Sequence, residues 1–236
     1  MTDAETRIME EAMAEARLLK GVISRELCDK AVYPPDPSPV SVFMAGSPGA
    51  GKTESSQNLI KRLVHGHAVL RIDADELRSR FETYDGSNSH LFQAATSILA
   101  DAVHDCALES RQNFVFDGTL SKIDKARKNI ERSLKRNRLV QIIYVYQDPF
   151  QAWRFVKARE ARDGRHIPRE AFIEQYFLAR ENVNILKGEF GNRIKVDLIV
   201  KNIDGTNFAY HGNIDRVDRY IPELYSKEDL IQRLEP

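Results

Sequence analysis

Eight consecutive residues, Gly46, Ser47, Pro48, Gly49, Ala50, Gly51, Lys52 and Thr53, carry the spacing G-x-x-x-x-G-K-[ST], the pattern that cradles the phosphates of a nucleoside triphosphate. The glycines open positive φ and let successive backbone N–H groups point into one concavity, at a helix N-terminus whose dipole favours anions. In that frame Lys52 reaches the β- and γ-phosphate oxygens and the Thr53 hydroxyl ligates Mg²⁺. The competing explanation is a chance Gly-rich turn between a strand and a helix. All three fixed letters are present, after an apolar run (40–45) and before a helix-like run (52–64), which favours a triphosphate site.

Two further stations carry carboxylates where a phosphotransfer site needs them. The run 67–72 ends in Asp73 and Asp75, and the run 113–116 ends in Asp117, Gly118 and Thr119. Ligands in open α/β sheets bind outside the carboxyl ends of strands, so these acids are candidates for chemistry. Asp before a helical run is also a common cap; Asp73 is read as the cap and Asp75 as the chemical residue, with the two exchangeable on sequence alone. Asp117 fits the strand-end carboxylate that meets Mg²⁺, directly or through water, and Thr119 can donate a hydroxyl to phosphate or substrate. His65 and His67 invite a metal reading, but without Cys or a third ligand in register a surface turn is favoured.

Arginines gather in 151–169, at Arg159, Arg162, Arg165 and Arg169, with Gly164 and Pro168 interrupting the helix. A helix, a Gly turn and a second helix bearing arginines is how a lid over a triphosphate is written, since the guanidinium fork pairs phosphate oxygens bidentately. The plainer reading is a helix hairpin with i,i+4 pairs such as Arg159 with Asp163.

These residues need elements to hold them. Apolar runs at 40–45, 67–72, 113–117, 139–146 and 194–200 alternate with helical stretches, which predicts a parallel sheet covered on both faces; 207–210 is expected to add a small hairpin and 213–234 terminal helical segments. Residues 2–28 show helical periodicity and are expected to form one or two helices packed on the domain, followed by a Pro-rich connector to residue 39. Domain organisation is thus read as 1–39, N-terminal helices and connector, and 40–236, the catalytic domain. Residues 88–111 are read as one long helix carrying Asp101 and Asp105, solvated by default, and 120–138 as a strongly basic helix with a solvated outer face.

The chain has 236 residues, of which 42% are hydrophobic, enough for one sizeable α/β domain. Its 35 Lys+Arg balance 35 Asp+Glu, so no global field draws it to nucleic acid or an anionic membrane, and a nucleic-acid partner is not expected. Cys28 and Cys106 lack C-x-x-C spacing, which argues against a disulfide framework or zinc site. No apolar run has the length of a membrane span and no leader pattern begins the chain, so a soluble, cytoplasmic protein is expected.

Together the stations 45–53, 72–75, 116–119 and 165–170 resemble the zeta toxin family of bacterial toxin–antitoxin systems, over about residues 40–200. The resemblance implies a P-loop NTPase kinase-like three-layer α/β sandwich with a mostly parallel central sheet and an Arg-bearing lid. It implies ATP and Mg²⁺ as cofactors, a small hydroxyl acceptor such as UDP-N-acetylglucosamine, and an antitoxin partner. Carried over residue by residue, Lys52 and Thr53 bind phosphate and metal, Asp75 is the base, Arg159 and Arg165 stabilise the transferring phosphoryl group, and Thr119 holds substrate. Asp73, Asp101 and Asp117 complete the substrate-facing set. The chain departs from the pattern at Asp117, where the family commonly has Glu, at Ser121, where an Arg is expected, and at Asp101, where a Glu would be looked for. Those changes shorten or remove groups on the acceptor side, so the acceptor is expected to differ; a kinase for a nucleoside, antibiotic, dinucleotide or polynucleotide, or an ATP-dependent switch, are the rival readings.

Overall fold

The computed structural model describes residues 2–63 and 68–235. Six strands form one sheet in the order β2-β3-β1-β4-β5-β6, built from β1 (Val40–Ala45), β2 (Val69–Asp73), β3 (Asn113–Asp117), β4 (Leu139–Tyr146), β5 (Lys195–Lys201) and β6 (Asn207–His211). All neighbours pair in parallel except β5 with β6, the expected hairpin. Strand residues alternate between two cores as a period of two demands. On β1, β3 and β4, Phe43, Phe114, Ile142 and Tyr144 face the larger cluster, and Val42, Met44, Val115, Ile143 and Val145 face the smaller one. Leu59 and Ile60 of α2 (Lys52–Leu63) cover the smaller cluster. The larger is covered by α3 (Gln93–Glu109), α4 (Ile123–Leu134), α5 (Pro149–Asp163) and α6 (Arg169–Phe190). Strands hydrophobic on both faces suit a sheet that helices sandwich.

The N-terminal segment is one helix, α1 (Asp3–Leu27), opened by a capping box between Thr2 and Glu5. It packs along α3, burying Ala12, Ala16 and Ile23 in the larger cluster. The connector that follows is tied down: the Gln112 side chain donates to the carbonyl oxygens of Cys28 (2.9 Å) and Tyr33 (2.7 Å), and Asn113 donates to Asp36 (2.8 Å). Burial and the neighbouring Cys106 push the Cys28 thiol up, so the two sulfurs are neighbours where α1 ends against α3.

Two expected elements need correction. Residues 88–111 are not one helix: a 3-10 turn (Ser89–Phe92) precedes α3, and the Phe92 side chain is fully buried at the junction. The basic helix is shorter than 120–138, because Leu120 has φ 59° and α4 starts only at Ile123. Arg138 is not part of any solvated face. It is 4% exposed, donates to Ser41 Oγ (2.7 Å) and to the carbonyl oxygens of Val40 (2.9 Å) and Gln112 (2.5 Å), and lies over the Phe114 ring. The C-terminal segment is folded back by α7 (Lys227–Arg233), and the Glu235 carbonyl oxygen accepts from the Trp153 indole (2.9 Å).

Candidate active site

The phosphate loop leaves the carboxyl end of β1 and enters α2 at Lys52. Gly49 has φ 75°, and a Cβ there would collide with the Ala152 carbonyl oxygen of α5, so the loop can lie against α5 only with glycine at that position. The Lys52 ammonium donates to the carbonyl oxygens of Gly46 (3.0 Å) and Ser47 (2.7 Å). Burial pushes its pKa down to about 8, against the pull of Asp117 and Asp75 and with the push of Arg165 and Arg159. Four charged groups from three parts of the chain, the ends of β2 and β3 and the lid, therefore act on the lysine.

The strand-end acids meet beside it. Asp73 and Asp117 are register partners at the ends of β2 and β3. Asp73 is not the helix cap expected of it: it closes β2, its Oδ1 accepts from the Asp75 backbone N–H (2.8 Å), and the cap position of the 3-10 turn that follows (Glu76–Arg80) falls to Asp75, whose side chain makes no cap bond. Burial, Asp75 and Asp117 raise the Asp73 carboxyl to about 6, with Arg71 opposing them. Asp75 is held differently. Arg78 donates to its Oδ1 (2.5 Å) and Arg165 to its Oδ2. Burial alone would raise the Asp75 carboxyl; Arg165 and Arg78 outweigh it and hold the group below its ordinary value.

Arg165 comes from the expected lid. α5 ends at Gly164 in the left-handed conformation (φ 72°), and α6 begins at Arg169 after Pro168. The turn rests on the loop after the 3-10 turn: a Cβ on Gly86 would stand 2.8 Å from the Asp163 carbonyl oxygen. Arg159 projects from α5 toward the same region, 3.7 Å from Asp163 Oδ2, so the hairpin ion pair and the lid arrangement coexist. Its field reaches both Lys52 and Asp75.

Asp101, Thr119 and the basic helix find their partners within the protein. Asp101 pairs with Lys125 of α4 (2.9 Å) and Asp105 with Arg132, so these two acids, exposed to solvent as expected, also bridge α3 to α4. Arg127 is bound by Glu189 and Asp124, both at 2.8 Å. Three cations of α4, Lys125, Arg127 and Arg132, are thus partnered with acids. The Thr119 hydroxyl shares a hydrogen bond with Ser121 (2.8 Å), and the Thr119 carbonyl oxygen accepts from Gly46 N–H (3.3 Å), tying the β3 end to the phosphate loop. His65 and His67 lie outside the described residues.

Three side chains that motif reading passed over organise the cluster: Arg71, Arg78 and Ser56. Arg71 and Asp73 share a face of β2 by strand alternation, and Arg78 follows Asp75 by three residues, so both signals were present in spacing. Ser56, fully buried on the first turns of α2, donates to Asp117 Oδ2 (3.2 Å), which no local pattern announces.

Thr53 and Asp117 offer a hydroxyl and a carboxylate oxygen, hard donors that suit Mg²⁺. Among the described residues no group of three or more His, Cys, Asp or Glu is arranged to hold a metal. The residues present fit the ion.

No curated protein matches the chain in sequence. Among solved structures it is similar to the PezAT chromosomal toxin–antitoxin system of Streptococcus pneumoniae, at 16% identity, TM-score 0.62, covering 98% of this chain and 93% of that one. It is also similar to the AvrRxo1-ORF1:AvrRxo1-ORF2 complex with ATP, at 15% identity, TM-score 0.60, covering 91% of this chain and 70% of that one. At such identities the likeness establishes the fold. The family is established by sequence: the zeta toxin model matches residues 23–215, a span that takes in the phosphate loop, both strand-end acids and the lid arginines, and the chain belongs to the zeta toxin family.

Proposed function

We propose that this protein is an ATP- and Mg²⁺-dependent kinase that transfers the γ-phosphoryl group to a hydroxyl of a small acceptor, a sugar nucleotide of the UDP-N-acetylglucosamine type, and acts as the toxin of a toxin–antitoxin pair. The observation that carries this reading is the convergence of Lys52, Asp75 and Arg165 at one point, with the two lid arginines acting on both the lysine and the acid. A switch protein needs no carboxylate poised between arginines.

The acceptor oxygen attacks the γ-phosphorus, the bond from that phosphorus to the β,γ-bridging oxygen breaks, ADP leaves, and the acceptor proton passes to Asp75. Lys52 turns from the loop carbonyls to the phosphate oxygens, and Arg165 exchanges Asp75 for the transferring group. Because phosphoryl transfer is mostly positioning and charge stabilisation, these two moves supply much of what the protein has to do. Thr53 and Asp117 would hold Mg²⁺, which neutralises charge on the β- and γ-phosphates when bound. Family membership, and the similarity of the fold to a protein of a toxin–antitoxin system, support an antitoxin partner.

A second reading concerns the acceptor. Asp117 is turned toward Arg71 and Ser56, and Ser121 closes on Thr119, so the groups that differ from the family pattern are engaged within the protein. This favours an acceptor other than UDP-N-acetylglucosamine. The test is mass spectrometry of products after incubation with ATP and Mg²⁺, with UDP-N-acetylglucosamine as one acceptor, a metabolite extract as another, and Lys52→Ala as control. Phosphorylated UDP-N-acetylglucosamine supports the sugar-nucleotide reading; a different Lys52-dependent product retains the kinase and replaces the acceptor; the absence of any product overturns both.

A further inference from the structure

Arg71 is the most heavily engaged side chain in the site, and neither the phosphate-loop pattern nor the lid accounts for it. It rises from β2 two residues before Asp73, on the same strand face, and is only 11% exposed. One terminal nitrogen donates to Asp73 Oδ2 and also to Asp117 Oδ2 (2.7 Å). The other donates to Glu76, and Nε donates to Ser56 Oγ (3.2 Å). The Ser56 hydroxyl in turn shares its one proton between the Thr53 carbonyl oxygen (2.9 Å) and Asp117 Oδ2 (3.2 Å). One guanidinium thus touches the strand-end acid expected to meet Mg²⁺, reaches the backbone of the hydroxyl residue expected to share that ion, and braces the turn that presents Asp75.

Charge makes this arrangement necessary. Asp73 and Asp117 are register partners, and Asp75 and Glu76 follow within three residues, so four carboxylates converge at the ends of two adjacent strands. Close carboxylates in a half-buried site repel unless a cation joins them. Arg78 and Arg165 are committed to Asp75. Arg71 is the cation that joins the other three.

We infer that Arg71 is a positioning residue that serves as the internal counter-ion of this acid cluster, standing where a divalent cation would otherwise bind between Asp73 and Asp117, and so reserving metal binding for the nucleotide complex. The planar fork suits the task because it spans several carboxylates at fixed angles, which a lysine does not. The inference deepens the kinase reading and rests on it for the catalytic consequence, while its metal consequence is measured without nucleotide.

The experiment compares wild type, Arg71→Gln and Arg71→Lys by thermal unfolding without nucleotide, with and without Mg²⁺, and by steady-state phosphotransfer. The expected result is that Mg²⁺ raises the Tm of Arg71→Gln by about 3 °C or more and leaves wild type unmoved, because the bare carboxylates then bind the ion only in the folded state. Turnover of Arg71→Gln is expected to fall about 10- to 100-fold, as for losses of groups that orient metal ligands. Arg71→Lys should show a smaller Mg²⁺ response and partial turnover. If Arg71→Gln does not fold, the double variant Arg71→Gln with Asp73→Asn removes one of the repelling charges and is expected to fold; a Tm raised by Mg²⁺ in it, where wild type is unmoved, supports the inference, and no Mg²⁺ response overturns it. An equal loss of Tm with and without Mg²⁺ overturns the inference, even if turnover falls, since that is what simple structural damage gives. Should wild type transfer no phosphate to any acceptor, the kinase reading fails, and the Mg²⁺ response of Arg71→Gln still decides the role of Arg71.

Discussion

Arg165, the residue after the glycine that ends α5, donates to Asp75 Oδ2 across 90 positions of chain. The lid therefore engages the candidate base directly. Asp75 is a poor proton acceptor while Arg165 and Arg78 hold it below its ordinary value. In the proposed reaction, moving Arg165 onto phosphate oxygens would remove one of those cations and raise the basicity of Asp75 when the acceptor proton has to be taken.

Removing either partner should separate chemistry from binding. Asp75→Asn is expected to lower kcat by about 10²- to 10⁴-fold with ATP affinity nearly unchanged, the range for loss of a general base. Arg165→Ala should lower kcat by about 10²- to 10³-fold, more than it raises the KM for ATP, because its charge is worth most in the transition state. Near-normal turnover in Asp75→Asn would reassign the base, with Asp73 next.

The pH dependence of nucleotide binding should report Lys52. Its folded pKa of about 8 lies below the ordinary lysine value of 10.5, so the folded protein binds the proton less tightly than the unfolded chain does. Lys52 therefore penalises folding below about pH 8 and ceases to do so as pH rises from there toward 10.5. Triphosphate prefers the ammonium, so ATP affinity should fall as pH rises through about 8. Calorimetric titration of ATP at several pH values checks this, and Lys52→Arg should remove the pH dependence in that window.

Gly49→Ala should destabilise the protein and abolish ATP binding together. A Cβ at that position meets the Ala152 carbonyl oxygen, and the positive φ is strained for any L side chain. A loss of about 2–3 kcal/mol, or roughly 5–10 °C in Tm, is the expected size. An unchanged Tm would mean that the loop is free to move away from α5.

Arg138→Ala should cost about 3 kcal/mol of stability without altering phosphotransfer kinetics at a temperature where the variant stays folded, since truncation leaves buried carbonyl oxygens of Val40 and Gln112 short of a donor. Denaturant unfolding measures the first effect. A selective loss of binding to nucleic acid with full stability would instead return Arg138 to a basic surface.

The phosphate loop, the five parallel strands and the Gly turn of the lid were legible in the sequence because each is written locally. Loop chemistry requires fixed residue types at fixed spacing, and strands buried on both faces read as continuous apolar runs such as 139–146. The strand-end acids were legible for the same reason. What sequence left open was which acid meets which cation. Asp73 and Asp75 are two residues apart and chemically equal in a string, yet folding sets one on the Arg71 fork beside Asp117 and hands the other to Arg78 and Arg165. The run of basic residues from 122 to 138 read as one solvated face, whereas packing paired Lys125, Arg127 and Arg132 with acids of other helices and buried Arg138. Pattern follows from local chain chemistry; the partner of a charge is chosen by contacts between segments far apart in the chain, and only the tertiary structure brings those segments together.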